Sequence, residues 1–143
     1  MAVVIETASE ATDELLGALY GLLRQLSSSA AALTSERLDE LLGSPMTTLF
    51  IARDNDAIVG MLTLVIFSLP SGRRAWIEDV VVDESVRGAG VGRALTQAAI
   101  DKSVMRGVRS IDLTSRPSRE EANALYQKMG FDRRETNVYR LSL

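Results

Sequence analysis

The sequence predicts a mixed α/β domain: a central, mostly antiparallel sheet of six to seven strands, with about four helices on both faces. Two observations carry this. Short runs of β-branched and aromatic residues, bounded by Asp, Asn, Gly and Pro, recur along the chain and read as strands. Between them lie segments with Leu, Ala and Met at helical spacing. The resulting order is β-α-α-β-β-β-α-β-α-β, with room for one more strand near Phe131. Hairpins in the middle imply antiparallel pairing, and the strand-loop-helix-strand unit from Trp76 to Thr114 implies a parallel crossover.

Val3-Val4-Ile5 reads as the first strand, and Leu15, Leu16, Leu19, Leu22, Leu23 and Leu26 mark the first helix. After a small-residue connector from Ser27 to Ala32, a second helix carries Leu38, Leu41 and Leu42, with Gly43 as its stop. Thr48 to Arg53 and Ala57 to Phe67 form a hairpin around the turn Asp54-Asn55-Asp56. Arg74 to Val82 is the next strand, and a third helix with Val91, Leu95, Ala98 and Ala99 on one face stops near Gly107. Val108 to Thr114 is a strand, and Pro117 breaks the chain. The last helix places Ala122, Leu125, Tyr126 and Met129 at i, i+3, i+4 and i+7, and Val138 to Leu143 is a terminal strand.

At 143 residues the length is that of one domain, 1–143, burying roughly 68–70% of its unfolded surface. The chain has no cysteine and no histidine, which excludes disulfides, thiol nucleophiles, Cys/His zinc sites and any Ser-His-Asp triad. Chemistry must then run on carboxylates, tyrosine, hydroxyls, backbone groups and a bound cofactor, and no metal is expected. Sixteen basic and nineteen acidic residues give a net charge of −3, which offers no footprint for a nucleic acid. The longest apolar run, Ala57 to Phe67, falls short of the ~20 residues of a membrane helix. No segment resembles a targeting signal, so no membrane partner and a cytoplasmic location are expected.

Arg87-Gly88-Ala89-Gly90-Val91-Gly92-Arg93 directly follows Val80-Val81-Val82 and opens a helix. Glycines let the backbone turn tightly and approach a ligand without a Cβ in the way. The helix start adds unpaired N–H groups and a partial positive charge, and Arg87 and Arg93 add formal charge. The sum is an anion site suited to a phosphate or pyrophosphate. A Walker A loop needs Gly-Lys-Ser/Thr, and Gly92-Arg93-Ala94 is not that. A dinucleotide fingerprint is G-x-G-x-x-G, and here the third glycine comes one residue early. An R-G-x-G-x-G/A loop fits at every position. An ordinary tight turn between strand and helix is the bland alternative.

A second motif is Ala122-Asn123-Ala124-Leu125-Tyr126-Gln127-Lys128-Met129-Gly130-Phe131, which matches A-x-x-L-Y-x-x-x-G-F. With Glu78-Asp79 ahead of the glycine loop, the chain resembles the GNAT superfamily of acetyl-CoA-dependent N-acetyltransferases. The resemblance is strongest over Trp76 to Phe131. It implies the GNAT fold and transfer of an acetyl group from acetyl-CoA to an amine by direct attack on the thioester. It implies that the amides of Arg87 to Gly92, with Arg93, hold the cofactor's pyrophosphate. The pantetheine arm would pair with the main chain of Val80 and Val82, residues that a buried strand also explains.

By the same resemblance Tyr126 is the general acid that protonates the leaving thiolate, although its place on the apolar stripe also suits a core residue. Glu78 is the favoured base, with Asp79 on the opposite face if strict strand alternation holds. A pairing of Glu78 with Arg73 or Arg74 is its structural alternative. Where many members carry a cofactor-contacting asparagine, seven residues before the tyrosine, this chain has Arg119. Asn123 is the candidate to replace it, or Arg116 or Arg119 meets a phosphate instead. Ser118 and Glu121 form an S-x-x-E capping box. Partners are acetyl-CoA and an amine acceptor, small molecule or protein. Homodimers are common in the family, and the terminal strand offers an edge to a second copy. Two competing readings remain: an acyl-CoA-binding regulatory module without turnover, and a nucleotide-binding α/β domain.

Overall fold

The computed structural model describes residues 2–143. Five strands form one sheet in sequence order: β1 (Val3–Thr7), β2 (Thr47–Asp54), β3 (Ala57–Leu69), β4 (Gly72–Val82) and β5 (Ile111–Asp112). The helices are α1 (Asp13–Leu26), α2 (Ser35–Gly43), α3 (Val91–Met105) and α4 (Glu120–Lys128). β1 to β4 pair antiparallel, and β5 joins β4 in parallel through the α3 crossover. The chain forms two compact units, up to Leu113 and Thr114–Leu143.

In the first unit the sheet is covered on both faces, which is why the middle of β2 and β3 is buried at consecutive positions. On one face Leu15, Leu19 and Leu22 of α1 and Leu38 of α2 pack with Leu49, Ile51, Met61 and Val81. On the other lies α3. Gly60 in β3 makes room for it: a Cβ there would stand 3.1 Å from both Val91 Cγ1 and Leu95 Cδ1. Two hydroxyls on α3 are buried and donate to carbonyls one turn back, Thr96 to Gly92 and Ser103 to Ala99, each at 2.8 Å.

The sheet has five strands, not the expected six to seven. Neither a strand near Phe131 nor one at Val138–Leu143 forms among the described residues, and Val138, Tyr139, Leu141 and Leu143 are exposed. Alternation at 139, 141 and 143 gives capacity for a strand, but a ladder also needs partners for its N–H and C=O groups. β5 is shorter than the expected Val108–Thr114. Backbone bonds from Arg109 N–H to Arg73 O (2.8 Å) and from Ala75 N–H to Ser110 O (3.0 Å) lead into it. It ends at Asp112, whose carboxylate holds Arg74 at 2.9 Å. Just beyond, β4 bulges: Thr63 faces Glu78 but Met61 faces Val81, so β4 carries one extra residue. A bulge bends its strand and ends regular pairing there.

The second unit holds α4. Tyr126 is its buried residue, 8% exposed, and Phe131 meets its ring edge-on with centroids 5.8 Å apart. Gly130, at φ 100°, turns the chain after the helix, and Phe131 N–H closes on Tyr126 O at 3.0 Å.

Candidate active site

Between β4 and α3 the backbone makes one 3-10 turn, Glu84–Val86, capped by Asp83, and then runs through Arg87, Gly88, Ala89 and Gly90. Gly88 and Gly90 both sit at φ 83°, where any other residue is strained. Gly90 is the N-cap of α3 and provides no side-chain bond, and the first turn holds no acid. A helix start leaves its first amides without intrahelical partners, here those of Val91, Gly92 and Arg93. Val91 offers only its main chain, because its side chain is buried in the core. The Ala89 N–H points back to Val86 O at a long 3.3 Å. Such a loop suits a diphosphate: the first amides of α3 are unpartnered, no Cβ is present at 88 or 90, and Arg87 and Arg93 flank it.

The carboxylates lie on β4, at the bulge. Asp79 takes φ 50°, a left-handed conformation rare for any residue but glycine. Strict alternation therefore fails at this pair, and Glu78 and Asp79 are both exposed. Loss of solvent around the Asp79 carboxyl, and then the neighbouring Glu78 charge, raise its pKa above the ordinary aspartate value. Glu78 Oε1 accepts from the Trp76 indole N–H at 2.6 Å. The alternative pairing with arginine does not form: Arg74 goes to Asp112, and Arg73 donates to the Arg106 carbonyl. Trp76 is a residue that sequence reasoning misses, although its i, i+2 spacing from Glu78 on one strand face is a usable signal. Beyond the bulge, Val80 and Val82 are half-buried, and Val82 O accepts from Arg87 Nε at 3.4 Å.

Tyr126 and Asn123 lie in the second unit, on α4. Burial raises the Tyr126 pKa, opposed by the Arg119 charge, so the phenol keeps its proton well into alkaline pH. The Asn123 amide donates to the carbonyls of Arg116 (2.9 Å) and Arg119 (2.8 Å). This corrects the expected capping box. α4 starts after Arg119, one residue later than Ser118 would place it, and has no side-chain cap.

Elsewhere in the first unit, a cavity of about 310 Å³ lies among Met46, Ile66, Phe67, Arg73 and Arg106. It sits at the opposite end of β4 from the glycine loop and holds no carboxylate. Among the described residues no cluster of three or more acidic, His or Cys side chains could hold a metal ion, and no helix is long and apolar enough to cross a membrane.

Comparison with known proteins follows the same lines. The chain is 33% identical over 93 residues to L-2,4-diaminobutyric acid acetyltransferase of Marinococcus halophilus, covering 64% of this chain and 52% of that protein. It is 38% identical over 96 residues to glucosamine 6-phosphate N-acetyltransferase of Trypanosoma brucei brucei, covering 65% and 63%. The chain thus spans less than two thirds of the length of these curated relatives. A solved acetyltransferase from Trypanosoma brucei superposes with a TM-score of 0.82 at 27% identity, over 99% of this chain and 100% of that one. The model of the acetyltransferase (GNAT) family matches residues 14–131, across β2 to β5, the glycine loop and α4, and the chain belongs to that family.

Proposed function

We propose that the chain is a single N-acetyltransferase domain, residues 1–143, that moves an acetyl group from acetyl-CoA to a primary amine in the cytoplasm, without a metal. The observation that carries this is the start of α3: glycine-lined, uncapped and free of acids, with its first amides unpartnered. Main-chain N–H groups from Arg87 through Gly88, Ala89, Gly90, Val91 and Gly92 to Arg93 take the diphosphate. The pantetheine amides run along Val80 and Val82, displacing the long bond from Arg87 to Val82 O. Asn123 reaches the cofactor through its side-chain oxygen, since its N–H groups are engaged.

An alkylamine with pKa ~10.4 leaves roughly one molecule in 10³ unprotonated at neutral pH. Glu78 takes the ammonium proton, directly or through water, a role worth ~10²–10⁴-fold. The indole N–H of Trp76 holds one carboxylate oxygen and leaves the other for the amine. The amine nitrogen then bonds to the thioester carbon, the C–S bond breaks, Tyr126 gives its hydroxyl proton to the departing thiolate, and the proton shed by the new amide nitrogen restores the phenol through water. A phenol whose pKa is raised is protonated at the working pH and so remains a donor. The relatives' names point to small polar primary amines as acceptors, and this supports the same class here. The exposed Val138 and the exposed alternating Tyr139, Leu141 and Leu143 support a homodimer through the terminal segment.

The test is an acceptor screen with mass-spectrometric detection of an added acetyl group, run beside calorimetry with acetyl-CoA. We expect amine-dependent thiol release, and in Tyr126→Phe a fall in kcat of about 10²-fold with the acetyl-CoA Kd little changed. Tight binding with no acetylated amine in the panel would return the chain to the regulatory-module reading. No binding of acetyl-CoA would end both.

A further inference from the structure

Gln25 lies in the last turn of α1, and its side-chain amide meets the chain again 58 residues later, at the entrance to the glycine loop. Its Nε2 donates to Asp83 Oδ2 at 3.1 Å, and its Oε1 accepts from Glu84 N–H at 3.0 Å. The other Asp83 oxygen accepts from both the backbone N–H (2.9 Å) and the hydroxyl (2.6 Å) of Ser85. These bonds hold the Asp83 carboxyl below the usual aspartate range, Ser85 contributing most and Gln25 after it. A glutamine suits this place because its amide carries a donor and an acceptor side by side; glutamate lacks the donor and lysine the acceptor.

From Asp83 to Gly90 no side chain is fully buried, and only Asp83 and Val86 are half-buried. Among its hydrogen bonds to the rest of the chain, the backbone bond from Asp83 N–H to Val59 O, at 2.8 Å, and the Gln25 clamp are those that reach distant elements; the others go to the adjoining Val82 and Ala94. α1 does not need the clamp. It is held by Leu15, Leu19 and Leu22, and its end is closed by Ser27 N–H on Leu23 O. We infer that Gln25 is a positioning residue for the cofactor: it ties the loop entrance to α1 so that the amides after Arg87 stand ready for the diphosphate. Order present before binding need not be created on binding, and this lowers the Kd. No local sequence pattern signals it, because donor and acceptor meet only in the folded chain.

The inference rests on the glycine loop being the acetyl-CoA site, and the experiment separates the two. Calorimetry and steady-state kinetics would compare wild type, Gln25→Ala, Gln25→Glu, and the double variant Gln25→Glu with Asp83→Asn. Gln25→Ala should raise the Kd and KM for acetyl-CoA about tenfold, more than it lowers kcat. Gln25→Glu should be at least as weak, with two carboxylates facing each other. The double variant restores a donor between the same positions and should recover most of the lost affinity. A Gln25→Ala protein with wild-type Kd, or a double variant no better than Gln25→Glu, would overturn the inference alone. Failure of wild type to bind acetyl-CoA would overturn it together with the reading of the loop.

Discussion

At the start of α1, Thr12 accepts the Leu15 N–H at 3.1 Å, and Asp13 and Glu14 occupy the first turn. Glu14 pairs with Arg53 at 2.9 Å, and Arg53 also holds Glu6 of β1. At the start of α3 there is no cap, no acid and a glycine in the left-handed region, while Asp79 on β4, the strand that leads into this loop, is strained and its carboxylate is disfavoured. One corner of the molecule satisfies its own donors and charges. The other leaves donors open and keeps a negative charge where the fold gains nothing from it. Such unmet demands are expected where a ligand completes them.

The sharpest way to break this contrast is Gly90→Glu. The left-handed position alone costs ~1–2 kcal/mol with a side chain. A carboxylate among the α3 amides should also raise the acetyl-CoA Kd beyond calorimetric detection, about 10²-fold or more. Wild-type affinity in this variant would show that the open helix start is not the cradle. The matching change at the closed corner, Thr12→Ala, should lower stability by about 1 kcal/mol in denaturant melts and leave acetyl-CoA affinity unchanged.

The smallest effects have opposite signs with pH. Asp79 has a raised pKa when folded, so the native state binds protons more readily and stability falls as pH climbs from the ordinary aspartate value through the raised one. Asp79→Asn removes that loss, so its melting temperature should exceed wild type at neutral pH and converge on it in acid. Glu14 has a lowered pKa, chiefly through its hydrogen bond with Arg53, and contributes stability above the ordinary glutamate value that is lost as pH falls. Glu14→Gln should therefore melt below wild type at neutral pH, and this deficit should also close in acid. Melting curves between pH 3 and 7 that move the two variants in the same direction would remove the distinction between the corners.

The open corner is legible in the sequence because its determinants are local. Glycines at 88, 90 and 92, a valine strand before them and a helix pattern after them are enough to place it. Features that depend on a distant partner are not legible. The bulge at Glu78-Asp79 arises from register against β3, so alternation within β4 alone puts the two acids on opposite faces. The terminal segment has the period of a strand, but period says nothing about whether an edge is available. At α4 the S-x-x-E pattern is present, yet the helix starts after Arg119 and no side chain caps it.

Gly60 gives the molecule an unexpected point of control. α3 is a rod about 22 Å long, and its N-terminal turn rests on the place where this residue has no side chain. A single methyl group added in mid-sheet would press on Val91 and Leu95 and shift that end by tenths of an ångström, moving the amides it presents while changing no residue of the glycine loop. If the proposed cradle is right, affinity for coenzyme A can drift through changes deep in the protein, and an intact glycine loop does not by itself guarantee a tight-binding relative.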